Sequence, residues 1–159
     1  VFGREDEAAE LIAQVEDQIA EVEATVGDVA ERPRVLAFEP YKGEMTARGN
    51  KGIMQDIIDG AGGENVFADQ SDSPVISIEQ IIEQAPDAII IYTCCGSDRV
   101  RADTEPEVRA LLDDPALANV PAIRDERILV VDFADTSVSI RNGDTLVEVA
   151  EFLHPDLFD

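Results

Sequence analysis

The sequence predicts an α/β fold, with a mainly parallel sheet flanked by helices and preceded by one long helix. Short, predominantly apolar segments such as residues 34–38 and 88–92 have the composition of strands buried on both faces. The segments between them carry apolar residues at helical spacing. Alternation of these two patterns along a chain is typical of an α/β layer fold.

The first predicted element is a single long helix over residues 4–31, which Pro33 closes. Acidic and amide residues separate its apolar positions, which recur at helical spacing: Ile12, Val15, Ile19, Val22 and Val26. This narrow apolar stripe requires a partner surface.

The next predicted element is a short strand over residues 34–38, followed by a polar loop over residues 39–52. A helix over residues 51–61 follows and ends at Gly62-Gly63, because glycine adopts the left-handed turn that closes many helices. Residues 65–68 are a candidate short strand.

The middle of the chain contains a local start signal for a helix. Ser77 is placed as the N-cap and Gln80 at the capping-box position, which predicts a helix over residues 78–84. Pro86 and Asp87 break this helix, and residues 88–92 then form the most apolar strand of the chain.

The last third repeats the alternation of helix and strand. Pro106 in a first turn predicts a helix over residues 104–112. The remaining predicted elements are a loop over 113–126, a strand over 128–132, a loop over 134–139 and a final helix over 144–153.

Composition excludes several classes of function. The 159 residues suffice for one domain with a core, and 45% hydrophobic content indicates a folded chain. A net charge of −23 argues against nucleic acid or an anionic membrane as a partner, since phosphates would be repelled. We interpret the acid excess and the scarcity of lysine as adaptation to salt. No segment approaches the roughly 20 apolar residues of a membrane span.

Enzyme motifs are scarce. Neither the dinucleotide-binding nor the P-loop glycine pattern is present, and the single histidine, His154, is assigned to the end of the final helix. Adjacent Cys94 and Cys95 lack the spacing of a thioredoxin motif or a zinc half-site, so we predict no metal site and no cofactor. A stand-alone flavodoxin-like enzyme or a thiol redox domain using Cys94 or Cys95 remains an alternative.

Three predicted loops lie at the carboxyl ends of strands, where open α/β sheets bind ligands: 39–52, 93–102 and 133–139. The first two contain five of the twelve basic residues, including both lysines, Lys42 and Lys51. Since the rest of the chain is strongly acidic, this placement predicts an anionic ligand with carboxylate or carbonyl groups suited to guanidinium.

Several segments resemble the substrate-binding proteins of siderophore, haem and cobalamin ABC importers. Six motifs carry the resemblance in the family's order: residues 3–8 (GREDEA), 60–69 (GAGGENVFAD), 75–81 (VISIEQI), 85–91 (APDAIII), 120–132 (VPAI with RILVVD) and 149–158 (VAEFLHPDLF). None is specific alone, but together they span nearly the whole chain.

The resemblance implies one lobe of a helical-backbone periplasmic-binding-protein fold. Residues 1–32 would be the rigid helix that bridges two lobes, and residues 33–159 the C-terminal α/β lobe. The N-terminal lobe and a lipoprotein signal would then be missing from this chain, part of the apolar stripe would be bare, and the protein would work outside the cytoplasm. A signalling or scaffold module that keeps the same fold is a further alternative.

The resemblance also implies a function and a set of contacts. The protein would be a non-enzymatic receptor that delivers a chelate to a membrane permease. An Fe(III)-siderophore is favoured over cobalamin, because the chain has no tryptophan for a flat corrin ring. Glu79 would dock the permease, and the family's ligand loops correspond to these candidate contacts: Tyr41, Lys42, Arg48, Tyr92, Arg99 and Arg101.

Overall fold

In a computed structural model, residues 3–41, 43–71, 73–92, 104–137 and 139–158 of the chain are described. They form a long helix followed by a six-stranded sheet that carries helices on both faces. The predicted fold class is therefore confirmed.

The helices are α1 (Glu5–Val26), α2 (Ile53–Gly60), α3 (Ile78–Gln84), α4 (Glu105–Leu112), α5 (Pro121–Arg124) and α6 (Asn142–Leu153). The strands are β1 (Arg34–Tyr41), β2 (Glu44–Ala47), β3 (Glu64–Asn65), β4 (Val75–Ile76), β5 (Ala88–Tyr92) and β6 (Ile128–Val131). Short 3-10 helices occupy Phe133–Asp135 and Pro155–Leu157.

The strand order is β4-β2-β1-β5-β6, with β3 beside the start of β1. β1 pairs in parallel with β3 and β5, and β5 pairs in parallel with β6. β2 runs antiparallel to both β1 and β4. The parallel strands therefore end at one edge of the sheet, called the carboxyl edge below, and begin at the opposite amino edge.

Two apolar cores lie on the two faces of the sheet. In β1, Val35 and Ala37 face a core built with α1, α2 and α6, whereas Leu36 and Phe38 face a core built with α3, α4 and α5. β5 alternates in the same way and is buried along its whole length. Burial on both faces explains why residues 35–38 of β1 and the whole of β5 are apolar.

The glycine pair after α2 is required by close packing. Gly62 has a φ of +74°, and a Cβ there would lie 2.9 Å from Nε2 of His154. A Cβ on Gly63 would approach Leu153, Ile58 and Val35 within 3.0 Å. The chain therefore turns from α2 into β3 in a space that only glycine fills without displacement.

The predicted loop over 39–52 is wrong in its first half. β1 continues to Tyr41, and β2 returns beside it with Phe38 opposite Ala47 and Tyr41 opposite Glu44. The two strands form an antiparallel hairpin, and Gly43 in its turn has a φ of +84°. The polar residues Glu44 and Thr46 belong to β2, which lies one strand from the edge of the sheet and is only partly buried.

Other boundaries differ by smaller amounts. α1 ends at Val26 instead of residue 31, and α5 lies inside the predicted loop over 113–126. The candidate strand over 65–68 is reduced to β3 and a turn, and β4 was not predicted. α3 and its capping box at Ser77 and Gln80 are confirmed.

The two halves of α1 differ in burial. Val22 and Val26 in its second half are buried in the core shared with α6, and the Gln18 amide donates to Asp144 of α6 over 2.7 Å. In the first half, Leu11 is 42% exposed and Ile12 57% exposed. The apolar stripe predicted from the sequence is thus covered at one end only.

Candidate ligand-binding site

A pocket of about 150 Å³ opens at the carboxyl edge of the sheet. The pocket is lined by residues that follow three different strands and by the first two residues of α2. The former are Arg48 after β2, Lys51 and Gly52 before α2, Tyr92 at the end of β5 and Thr136 after β6. Three separate connections therefore meet at one place, as expected for the carboxyl edge of an α/β sheet.

Arg48 lies over the ring of Tyr92, with its guanidinium carbon 4.5 Å from the ring centroid. Nη1 of Arg48 also donates to Oγ of Ser73 over 3.1 Å. This stacked arrangement keeps a partly buried guanidinium beside the pocket and limits its rotamers.

Tyr92 forms the wall beneath this guanidinium. Its side chain is 1% exposed, and its hydroxyl donates to the carbonyl of Thr46 over 3.3 Å. Burial raises the pKa of the Tyr92 phenol, against a smaller opposing effect of Arg48. The phenol therefore stays neutral at physiological pH and acts as a hydrogen-bonding and stacking group.

The segment 48–52 is fixed to the sheet by its backbone. The amide of Arg48 donates to the carbonyl of Ala37, and that of Asn50 donates to the carbonyl of Gln70. Gly52 has a φ of +94° and places the chain at the start of α2. The amino end of α2, with its partial positive charge, thus adjoins the pocket.

The opposite wall belongs to the connection after β6. The side-chain amide of Asn142 donates to the carbonyls of Asp135 and Ser137, both over 2.9 Å. These two bonds bracket Thr136 and hold it toward the pocket from the start of α6. The wall is therefore shaped by a side chain that lies outside the pocket.

The structure brings two of the six candidate contacts, Arg48 and Tyr92, together in the pocket. Tyr41 is the last residue of β1, at the same edge, but the described part does not include its side chain. Lys42, Arg99 and Arg101 lie outside the described residues, as do Cys94 and Cys95. Lys51 and Thr136 were not among the predicted contacts, although both belong to loops predicted at the carboxyl ends of strands, 39–52 and 133–139.

Glu79, the candidate docking residue, lies in the first turn of α3 and is exposed. A hydrogen bond with the Ser77 side chain, and a second with its own backbone amide, hold the pKa of Glu79 below its ordinary value. Since α3 follows β4, which runs parallel to β1 across β2, this carboxylate lies on the carboxyl edge of the sheet.

A second group of arginines surrounds a groove of about 380 Å³ at the amino edge. Arg32 donates to the carbonyl of Asp59, and Arg127 donates to the carbonyls of Phe152 and Leu153. Arg124 pairs with the adjacent Asp125. Because these cations bind groups of the protein itself, this larger groove is the weaker candidate for a ligand.

The described residues lack the features of two other kinds of site. No three side chains among their histidines and acids lie together as ligands of a metal ion would. Within the same residues, no helix has both the length and the hydropathy needed to cross a bilayer. His154 lies at the end of α6, where its Nε2 is 3.3 Å from the carbonyl of Gly62 and its ring is mostly buried.

Comparison with known structures gives consistent neighbours. A periplasmic binding protein from Veillonella parvula matches with a TM-score of 0.80 and 23% identity over 98% of this chain and 53% of that one. An ABC-type Fe3+-hydroxamate transport system protein from Saccharomonospora viridis matches with a TM-score of 0.78 and 27% identity over 95% and 50%. The periplasmic haem-binding protein RhuT from Roseiflexus sp. matches with a TM-score of 0.78 and 25% identity over 96% and 57%.

The chain thus spans about half the length of these solved structures. A search of curated protein sequences finds no match. The sequence profile of the family described as periplasmic binding protein matches residues 1–134, which is most of the chain. The chain therefore belongs to the periplasmic binding protein family.

Proposed function

We propose that this chain is part of the solute-binding component of an ABC importer. It would bind an Fe(III)-siderophore or a similar anionic metal chelate outside the cytoplasm and deliver it to a membrane permease. The observation that carries the proposal is a pocket with two cations, Arg48 and Lys51, at the carboxyl edge of a chain whose net charge is −23. The 27% identity to a protein of an Fe3+-hydroxamate transport system supports iron as the cargo metal.

The chemistry of the pocket favours recognition of the chelate and not of the bare metal. Guanidinium, ammonium and the amides at the start of α2 are hydrogen-bond donors, and they suit the outward carboxylate or carbonyl oxygens of a chelate. The chelator itself supplies the ligands of the metal. Tyr92, whose phenol stays neutral, is not a phenolate ligand: its ring supports the Arg48 guanidinium, and its hydroxyl donates to the carbonyl of Thr46.

The small size of the pocket supports the proposal that it is one side of a larger site. Its volume of about 150 Å³ is well below the roughly 300–1,000 Å³ of ordinary small-molecule pockets. Since the chain spans about half the length of its structural neighbours, we propose that a second lobe of the same protein closes over the pocket. The exposed apolar residues of α1, Leu11 and Ile12, would pack against that lobe.

Delivery to a permease requires a surface beside the pocket. Glu79 is exposed at the carboxyl edge and keeps its charge to a lower pH than an ordinary glutamate. We propose that it pairs with a basic residue of the permease when the receptor docks. Substitution of Glu79 by glutamine is expected to lower the transport rate without changing chelate affinity.

Titration calorimetry with ferric citrate, an anionic chelate, tests the binding proposal in the two-lobed protein. We expect saturable binding that weakens in the double charge reversal Arg99→Glu/Arg101→Glu. Substitution of the exposed Arg109, which lies on α4, is the matched control and should leave the affinity unchanged. Equal affinities in the wild type and the double variant would remove the role of those two arginines, and no binding of ferric or other metal chelates would refute the function.

A further inference from the structure

Neither the sequence patterns nor the family assignment gives a role to the side chain of Asn65. It lies in β3 and is 4% exposed, yet its side chain reaches the segment 48–52 that lines the pocket. Its amide nitrogen donates to the carbonyls of Arg48 and Gly49 over 3.0 and 3.2 Å, and to Oε1 of Gln55 over 2.7 Å. We propose that Asn65 is a positioning residue of the ligand site, which holds Arg48 and Lys51 toward the pocket; this inference rests on the function proposed above.

The direction of these hydrogen bonds follows from a carboxylate in the same network. Asp59 only accepts when ionised, so the amide nitrogen of Gln55 faces it, 2.7 Å from Oδ2. Gln55 therefore presents its oxygen to Asn65, and Asn65 must present its nitrogen. The two amide hydrogens of Asn65 serve three acceptors, with one hydrogen shared between the carbonyls of Arg48 and Gly49.

The two ends of the Asn65 side chain have separate roles. Its oxygen accepts from the amide of Phe67 over 3.0 Å and shapes the turn after β3. Its nitrogen reaches across to the pocket segment, 17 residues away for Arg48. Because Asn65 is paired with Val35 of β1, the side chain ties the segment directly to the centre of the sheet.

Loss of the amide donors would act on the cations of the pocket. Gly49 is buried, so its carbonyl would lose its side-chain partner away from water. The segment would shift to recover a hydrogen bond, and the guanidinium of Arg48 would leave its position over Tyr92. An anionic chelate, which depends on that guanidinium, would then bind less tightly than a neutral one.

The variant Asn65→Asp separates the two roles, since it keeps the acceptor for Phe67 and the side-chain volume but removes the amide donors. We expect affinity for ferric citrate to fall about tenfold in the two-lobed protein, and affinity for a neutral ferric trihydroxamate to fall less than about threefold. Asn65→Ala is the second variant and should give the same difference between the two chelates. Leu117→Ala, which opens the opposite core, controls for lost stability and should affect neither affinity.

Hydrogen exchange on this chain provides a readout that needs no ligand. In Asn65→Asp the amides of Arg48 and Asn50 should exchange at least about tenfold faster, while those of β6 keep their wild-type rates. Wild-type exchange rates at these amides in Asn65→Asp would overturn the positioning role. It would also be overturned if Asn65→Asp, Asn65→Ala and Leu117→Ala all lost affinity equally for both chelates. If the wild-type protein binds neither chelate, the proposed function fails, and the exchange rates alone decide the role of Asn65.

Discussion

The two edges of the sheet use arginine in different ways. At the amino edge, Arg32, Arg34 and Arg127 each donate to main-chain carbonyls near the ends of helices, those of Asp59, Gln84, Phe152 and Leu153. At the carboxyl edge, Arg48 stacks on Tyr92 and its guanidinium donates to one hydroxyl. Both groups carry the same charge in a strongly acidic chain.

The difference follows from the direction of the helices. A helix that returns beside a parallel sheet ends at the amino edge, where its last carbonyls lack partners and its dipole is negative. Arginines there stabilise the fold. The carboxyl edge receives the positive starts of the helices, so an arginine near it gains nothing from the dipole and remains available to a ligand. A count of basic residues therefore locates a binding site only when the partners of each residue are known.

The largest expected effect concerns Arg127. Its guanidinium donates to the carbonyls of Phe152 and Leu153 over 2.9 and 3.0 Å and lies 5.5 Å from the ring centroid of Phe152. The variant Arg127→Met should lower the free energy of unfolding by about 2–3 kcal/mol, since two charge-assisted hydrogen bonds are lost. Urea denaturation followed by circular dichroism measures this change, and chelate affinity should not alter.

Arg109→Met is the matched control for this prediction. Arg109 is 68% exposed and lies 3.9 Å from Glu105 one turn earlier in α4. Its removal should cost no more than about 0.5 kcal/mol. Similar losses in the two variants would contradict the view that amino-edge arginines stabilise the helix ends.

The second prediction tests the packing of the amino edge. Gly63→Ala would place a Cβ 2.9 Å from Leu153 and 3.0 Å from both Ile58 and Val35, all in one buried core. We expect a loss of about 1–3 kcal/mol in the free energy of unfolding, because this core has no room to accommodate the methyl group. In the control Gly60→Ala, the new Cβ meets the flexible end of Leu146 at 3.1 Å within helix α2, so the change should be near zero. Equal melting temperatures for the two variants would show that Gly63 has space.

The features that the sequence predicted best are those set by residues close together in the chain, such as helix caps and helix ends. The capping box joins Ser77 and Gln80, three residues apart, and the glycine pair at 62–63 marks a helix end, so both are visible locally. The hairpin of β1 and β2 was missed because Glu39 and Pro40 end the apolar run of β1, and the alternation of polar and apolar residues in β2 covers only four positions. β4 has only two residues, too few to show any period.

The candidate site was predicted less completely, for a physical reason. Arg48 and Tyr92 were named because the family resemblance assigns ligand contacts to loops at the carboxyl ends of the predicted strands, and these ends meet at one edge of a parallel sheet. Thr136 enters the pocket from another connection, and Asn65 acts through residues 10 and 17 positions away. Such relations arise only when the chain is folded. The same limit applies to the arginines of the amino edge, since their charge is visible in the sequence but their carbonyl partners are not.

The third prediction moves to the carboxyl edge. Arg48→Gln removes the guanidinium above Tyr92 but leaves a polar side chain. We expect affinity for ferric citrate in the two-lobed protein to fall about tenfold, which corresponds to about 1.4 kcal/mol. The free energy of unfolding should fall by no more than about 1 kcal/mol, since the guanidinium stacks on Tyr92 and donates to the Ser73 hydroxyl but caps no helix end. A variant that loses stability and keeps its affinity would reverse the assignment of the two edges.

The smallest expected effect belongs to an exposed pair at the amino edge. A side-chain hydrogen bond from Arg124 holds the pKa of Asp125 below its ordinary value. A carboxyl whose pKa is lowered by folding contributes stability above its unfolded pKa and loses it as the pH falls through the folded value. The variant Asp125→Asn should therefore be slightly less stable than the wild type at pH 7, and the difference should vanish in acid.

Carboxyl carbon shifts in a pH titration measure this directly, since the Asp125 midpoint should lie below that of an ordinary aspartate and return toward it in Arg124→Gln. An unchanged midpoint in that variant would mean that Arg124 does not hold the charge. Because both side chains are in water, their attraction is screened and adds little to stability. Arg124 should therefore contribute the least to the free energy of unfolding among the amino-edge arginines. The stabilising effect depends on the helix end that the guanidinium caps, as in Arg127, and not on the charge alone.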